Sequence, residues 1–156
     1  MHIADVLATK GRRIETVWPS QPVRDLPRLL IERNVASLVV VSADGRPLGM
    51  VTDRLLLEVI AKTGGELGLL TVREIMIAPP PACRPDDTVM GMLARMTDER
   101  VRHLLVLERD HMVGLVSIGD LVKHRLRDAD METRILRDMA LAHLASSDRA
   151  GTDRAS

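Results

Sequence analysis

The spacing of apolar residues changes period several times along the chain, and each change marks an element. Val89, Met92, Leu93 and Met96 follow the i, i+3, i+4, i+7 stripe of a helix with one buried face. Asp86 and Asp87 stand just before it, where a cap and a first-turn acid belong. A mostly aliphatic run over 103–107, the turn Glu108-Arg109-Asp110 and a second run over 112–116 predict two paired strands. From Ser117 the period is helical again, with Leu121, Val122 and Leu126 on one side. The same order appears earlier: a helix over 23–33, strands over 37–41 and 48–51, and a helix over 53–61, the hairpin turning at Ala43-Asp44-Gly45-Arg46. A short extended stretch precedes each first helix, at 15–18 and 81–84, and a proline follows each.

The two halves are a repeat. Val23, Val35, Leu38 and Val40 recur as Val89, Val101, Leu104 and Val106 at an offset of 66, and Gly49, Val51 and Leu56 recur as Gly114, Val116 and Leu121 at 65. The one-residue loss falls in the hairpin turn, where a length change is tolerated. Ile3-Ala4-Asp5-Val6-Leu7 before the first copy matches Val72-Arg73-Glu74-Ile75-Met76 before the second, so each copy carries a lead-in helix. The expected units are a first copy over 3–63, a linker over 64–71, a second copy over 72–127, a helical tail over 128–145 and a disordered end over 146–156. Neither copy alone buries much apolar surface, so the two sheets are expected to pack on each other.

Composition narrows the function. Of 156 residues, 22 are Lys or Arg and 22 are Asp or Glu, so no net positive field gathers nucleic acid or an anionic membrane. With Trp18 as its one aromatic residue of the Phe, Tyr and Trp class, the chain has no platform for stacking bases. Apolar runs such as 38–41 fall far short of the roughly 20 residues of a bilayer span. The single cysteine, Cys83, forms no internal disulfide, and no secretory leader pattern opens the sequence, so the cytoplasm is the expected compartment. His2, His103, His111, His124 and His143 show no metal-ligand spacing, and no Gly-rich phosphate loop is present, so neither a metal site nor catalysis is expected.

Residues 3–127 resemble a pair of CBS domains, the cystathionine β-synthase type of repeat. The resemblance is carried by Arg102-His103-Leu104-Leu105-Val106-Leu107, by Val113-Gly114-Leu115-Val116-Ser117-Ile118-Gly119-Asp120-Leu121, and by Val72-Arg73-Glu74-Ile75-Met76. Leu105 stands where many relatives carry proline, and Pro27 falls inside the first helix, which it should delay or kink. The resemblance implies an α+β fold of two βαββα repeats packed through their sheets as a pseudo-two-fold pair, here with a C-terminal helical extension. It further implies a regulatory, non-enzymatic module that binds an adenine nucleotide between the repeats, with no obligatory cofactor. AMP, ADP, ATP, NAD and S-adenosylmethionine are all open.

In Ser117-Ile118-Gly119-Asp120 the serine ends a strand and begins a helix, which points its hydroxyl and the free N–H groups at a place for phosphate. Asp120 lies on the same side and can accept both hydrogen bonds of a ribose diol, while Gly119 adds no bulk. The same Ser-x-x-acid spacing is also a helix cap that needs no ligand. In the first copy, Thr52, Asp53, Arg54 and Leu55 put leucine at the carboxylate position, which predicts one competent site at the second motif and a degenerate first one. By resemblance, Arg102 and His103, and Ala36 and Ser37 in the first copy, border the adenine and phosphate; Ala82 and Cys83 line the adenine pocket; Arg54 faces phosphate at the first cleft.

No Gly or Pro interrupts residues 120–150, so the last helix either runs on for about 45 Å or breaks near 128–130 and folds back. In the first case Ile135 and Met139 can clamp a second chain, and a homodimer is the expected assembly. A separate protein target is open, and a ligand-free scaffold is the alternative function.

Overall fold

The computed structural model describes residues 1–152. Helix α1 (Ile3–Lys10) is followed by β1 (Thr16–Val17), a 3-10 turn at Val23–Asp25, α2 (Leu26–Glu32), β2 (Ser37–Val41), β3 (Pro47–Thr52) and α3 (Asp53–Thr63). The second half has α4 (Val72–Ile75), β4 (Ala82–Cys83), α5 (Val89–Glu99), β5 (His103–Glu108), β6 (His111–Ser117) and α6 (Ile118–Thr152). Pro27 has the expected effect: residues 23–25 form a 3-10 turn, and α2 starts only at Leu26, with the proline in its first turn where a missing N–H costs nothing.

Two three-stranded sheets form, ordered β1-β2-β3 and β4-β5-β6, each with a parallel and an antiparallel pairing. Even the bulges repeat, between Val40 and Val41 and between Val106 and Leu107. The central strands β2 and β5 use both faces. Val39, Val41 and Leu105, with Met50, fill the layer between the sheets, while Leu38, Val40, Leu104 and Val106 point to the helices. Leu105 is fully buried and its N–H donates to the Pro81 carbonyl at 2.8 Å, so a proline there would forfeit that bond.

The lead-in helices are exchanged. Sequence order groups α1 with the first copy, but its Ile3, Val6 and Leu7 are buried in the core of the second, with Val89, Leu104 and Leu121. Conversely, Val72, Ile75 and Met76 pack with Val23, Leu38 and Leu56 of the first. Backbone bonds fix both dockings: Ile3 N–H to Asp87 O and Ala4 N–H to Pro85 O, each 2.9 Å, and Val72 N–H to Gln21 O at 2.9 Å. Gly114 lies under Leu7 and Gly49 under Met76, so the repeated glycine marks where each helix approaches a strand.

The last helix has 35 residues, a length of about 52 Å. It neither breaks near 128–130 nor folds back: residues 129–151 are all exposed. Helix continues over 146–152, where a disordered end was expected, because nothing from 120 to 150 stops it; residues 153–156 lie outside the described residues. Among the described residues no helix is long and apolar enough to cross a membrane.

Candidate functional site

Strand β6 delivers Ser117 to the start of α6, and the motif closes on itself. Ser117 Oγ accepts from the Asp120 N–H at 3.1 Å, and Asp120 Oδ2 accepts from the Ser117 N–H at 2.8 Å, a complete capping box. A third group enters from the exchanged helix: Lys10 Nζ, at the end of α1, donates to Asp120 Oδ2 at 2.5 Å and to the Leu115 carbonyl at 2.6 Å. Burial alone would raise the Asp120 carboxyl, but hydrogen bonds from Lys10 and from the Ser117 backbone outweigh it and hold the group below the usual carboxylate range. Asp120 is thus an anion at neutral pH. Among the described residues no hydrogen bond reaches its Oδ1. A Cβ on Gly119 would meet only Ser117 Oγ, at an ordinary 3.6 Å, which leaves the helix shoulder bare.

The first motif is half of this. Thr52 Oγ1 accepts from the Leu55 N–H at 3.1 Å, but Leu55 returns no carboxylate. Around it lies a cleft of about 200 Å³, lined by Thr52, Arg54 and Leu55 from one repeat and Arg100, Arg102 and His103 from the other. Arg102 Nη2 reaches Asp53 Oδ1 at 3.3 Å across the cleft. The backbone of Arg102 instead ties to the second motif, its carbonyl accepting from the Ile118 N–H at 2.9 Å, as the Ala36 carbonyl accepts from the Asp53 N–H.

The structure therefore sorts the sequence candidates differently from their order in the chain. Thr52, Arg54, Arg102 and His103 share the first cleft, while Ser117, Ile118, Gly119 and Asp120 form the second corner with Lys10. Ser37 is buried beside Thr52 in the strand register, and Ala36 opens on a hollow between α2 and α3. Ala82 and Cys83 do not join the Ser117 corner. Ala82 packs in the layer between the sheets, where its carbonyl accepts from Arg95, and Cys83 is buried in the second core with its thiol pushed up to about 12, chiefly by burial. Two residues the sequence did not single out are Lys10 and Arg100. Lys10 reads as an ordinary last-turn cation, and only the exchange of α1 brings it to Asp120.

His103 pairs with Ser117 in the strand register and so lies between the two motifs. Burial pushes its imidazole below the ordinary value, helped by Arg102 and Lys10 and opposed by Asp53 and Asp120. It is neutral at pH 7. The unfolded chain then takes up this proton first on acidification, so the stability tied to His103 is present above the ordinary value of 6.5 and is lost as the pH falls below it. His103→Gln should flatten the pH dependence of the urea midpoint between about pH 7 and about pH 5; a slope unaltered by the substitution would refute that reading. Among the described residues no group of three or more His, Cys, Asp or Glu is placed to hold a metal ion.

A family model for the CBS domain matches residues 3–62 and 72–127. A mitochondrial CBS domain-containing protein of Arabidopsis thaliana is 31% identical over 129 residues, 78% of this chain and 63% of that protein, so the chain spans less than two thirds of this relative. A solved protein with CBS domains from Burkholderia ambifaria superposes with a TM-score of 0.76 at 34% identity, over 82% of this chain and 96% of that one. Another CBS domain pair, solved in complex with 5′-methylthioadenosine and S-adenosyl-L-methionine, shares the fold with a TM-score of 0.70 at 20% identity, over 83% of this chain and 98% of that one.

Proposed function

The chain belongs to the CBS domain family, and we propose that it is a non-catalytic regulatory module that binds an adenosine-containing nucleotide between its repeats. The observation that carries this is Asp120. An ionised carboxylate is fixed by its own cap beside Ser117, at the N-terminal end of a 35-residue helix, with one oxygen unbonded. That arrangement suits a ribose diol, with the phosphate toward the helix N–H groups. The liganded pair of the same fold supports adenosine as the class. In the first cleft Leu55 replaces the carboxylate, so Thr52, Arg54, Arg102 and His103 offer contacts to phosphate but none to the sugar diol.

Occupancy is reported through the angle between repeats or through assembly, because a ligand shifts a conformational balance only by its differential affinity for the two states. The assembly proposed is a homodimer in the cytoplasm, acting on itself or on a separate protein. Its support is the exposed apolar series on α6: Leu126, Met131, Ile135, Met139 and Leu144 are each at least half exposed.

Calorimetric titration of the full chain with adenosine, AMP, ADP, ATP, NAD and S-adenosylmethionine tests the proposal. At least one should bind, and Asp120→Ala should weaken it about a hundredfold or more, the worth of two hydrogen bonds to a charged acceptor. Flat titrations would favour the second reading, a ligand-free scaffold, while an affinity indifferent to Asp120→Ala would overturn the assignment of the sugar to Asp120. That reading draws on the self-satisfied caps at Thr52 and Ser117, which need no ligand to explain them.

A further inference from the structure

The Lys10 ammonium occupies a place that a ribose needs. Asp120 Oδ2 already accepts from Ser117 N–H and from Lys10 Nζ, so its two lone-pair directions are filled, and only Oδ1 is free among the described residues. A diol gripped by both oxygens therefore displaces Lys10. The Lys10 side chain keeps a relative exposure of 33%, so its displacement costs the ion pair with Asp120 without burying the ammonium, and an anion arriving with the sugar restores a charged partner. Its surroundings supply no substitute carboxylate. Lys10 borders a hollow of about 280 Å³ with Val6, Thr9, Asp120, Lys123, His124 and Arg127, and neither Lys123 nor Arg127 has a salt-bridge partner among the described residues. Among the described residues that line this hollow, Asp120 is the one acid beside Lys10, Lys123, His124 and Arg127.

We infer that Lys10 is the specificity-determining residue of the second corner, passing from Asp120 to the ligand's phosphate, so that this corner selects adenosine phosphates over uncharged or cationic adenosine compounds. The transfer is short. Ser117 N–H, at the proposed phosphate end, and Lys10 Nζ are both bonded to the same carboxylate oxygen. A phosphate replaces the lost ion pair with another charge-assisted bond, while adenosine or 5′-methylthioadenosine replaces it with nothing. A sulfonium adds a further cation to a site already rich in basic side chains. The inference rests on the adenosine reading of the preceding subsection.

The test is titration of the full chain and two variants with AMP, adenosine and 5′-methylthioadenosine. The unaltered chain should bind AMP at least about tenfold tighter than either uncharged compound, the factor of one charge-assisted hydrogen bond. Lys10→Met keeps an unbranched side chain of similar reach and removes the charge. It should weaken AMP and strengthen adenosine, shrinking the ratio about tenfold or more, whereas Lys10→Arg should preserve the preference for phosphate. An AMP-to-adenosine ratio unchanged by Lys10→Met, with adenosine compounds still bound, overturns this inference alone. Binding of no adenosine compound to the unaltered chain overturns the adenosine reading, and this inference with it.

Discussion

Alanine at Gly49 should lower the unfolding free energy by about 3 kcal/mol, with Gly114→Ala costing about half as much. Away from contacts, Gly→Ala in a strand usually gains a few tenths of a kcal/mol to about 1 kcal/mol by restricting the unfolded chain. Here packing reverses the sign. A Cβ on Gly49 would stand 2.8 Å from the Ile77 carbonyl oxygen and 2.7 Å from Met76 Sδ. The carbonyl cannot move freely, because Met50 and Ile77 exchange two backbone hydrogen bonds of 2.9 Å. At Gly114 the clash is with the Leu7 side chain, 2.6 Å away at its tip, and a rotamer change relieves part of it. Urea denaturation of the three proteins reads the order directly as midpoints at constant slope. A Gly49→Ala protein as stable as the parent would show that the α4 segment does not dock as described.

Removing residues 1–10 should loosen the second half of the molecule, not the first. Ile3, Val6 and Leu7 are each at most 2% exposed, and all three lie in the core around β5 and β6. At roughly 2 kcal/mol per buried aliphatic side chain the deletion removes about 6 kcal/mol, comparable with the whole stability of many domains. The first half keeps its own docked segment, Val72, Ile75 and Met76. Hydrogen exchange should therefore rise strongly over 82–127 and only modestly over 16–63. Equal protection loss in both halves, or loss confined to 16–63, would contradict the exchange of lead-in helices.

Both results turn on contacts between segments far apart in sequence, which bears on how much a reader of the sequence could see. The repeat itself was open to inspection. Its strands at 37–41, 47–52, 103–108 and 111–117 follow from period and turn residues, and the predicted spans differ from them by at most one residue at either end. The delay of α2 by Pro27 was equally local, since it depends on one missing N–H and one ring. So was the Ser117–Asp120 pairing, because three-residue spacing at a strand-to-helix junction places both side chains on the first turn. The sequence also left open whether α6 ends near residue 130. Local propensity contained no stop, and only the structure, with residues 129–151 exposed along one helix, decides it.

What the chain determined by itself is the doubled βαββα pattern, its caps, its apolar layers and the two motifs, for these depend on neighbours within a few residues. Tertiary structure decided which lead-in helix covers which repeat, since Ile3-Ala4-Asp5-Val6-Leu7 and Val72-Arg73-Glu74-Ile75-Met76 present similar apolar faces and periodicity does not distinguish their destinations. From that choice follows the placement of Lys10 on Asp120, 110 residues away, while the packing of one repeat on the other turns Arg102 and His103 toward Thr52 and Arg54. Such pairings come from the close packing of whole elements, where side chains meet through the arrangement of the two sheets and not through spacing along the chain.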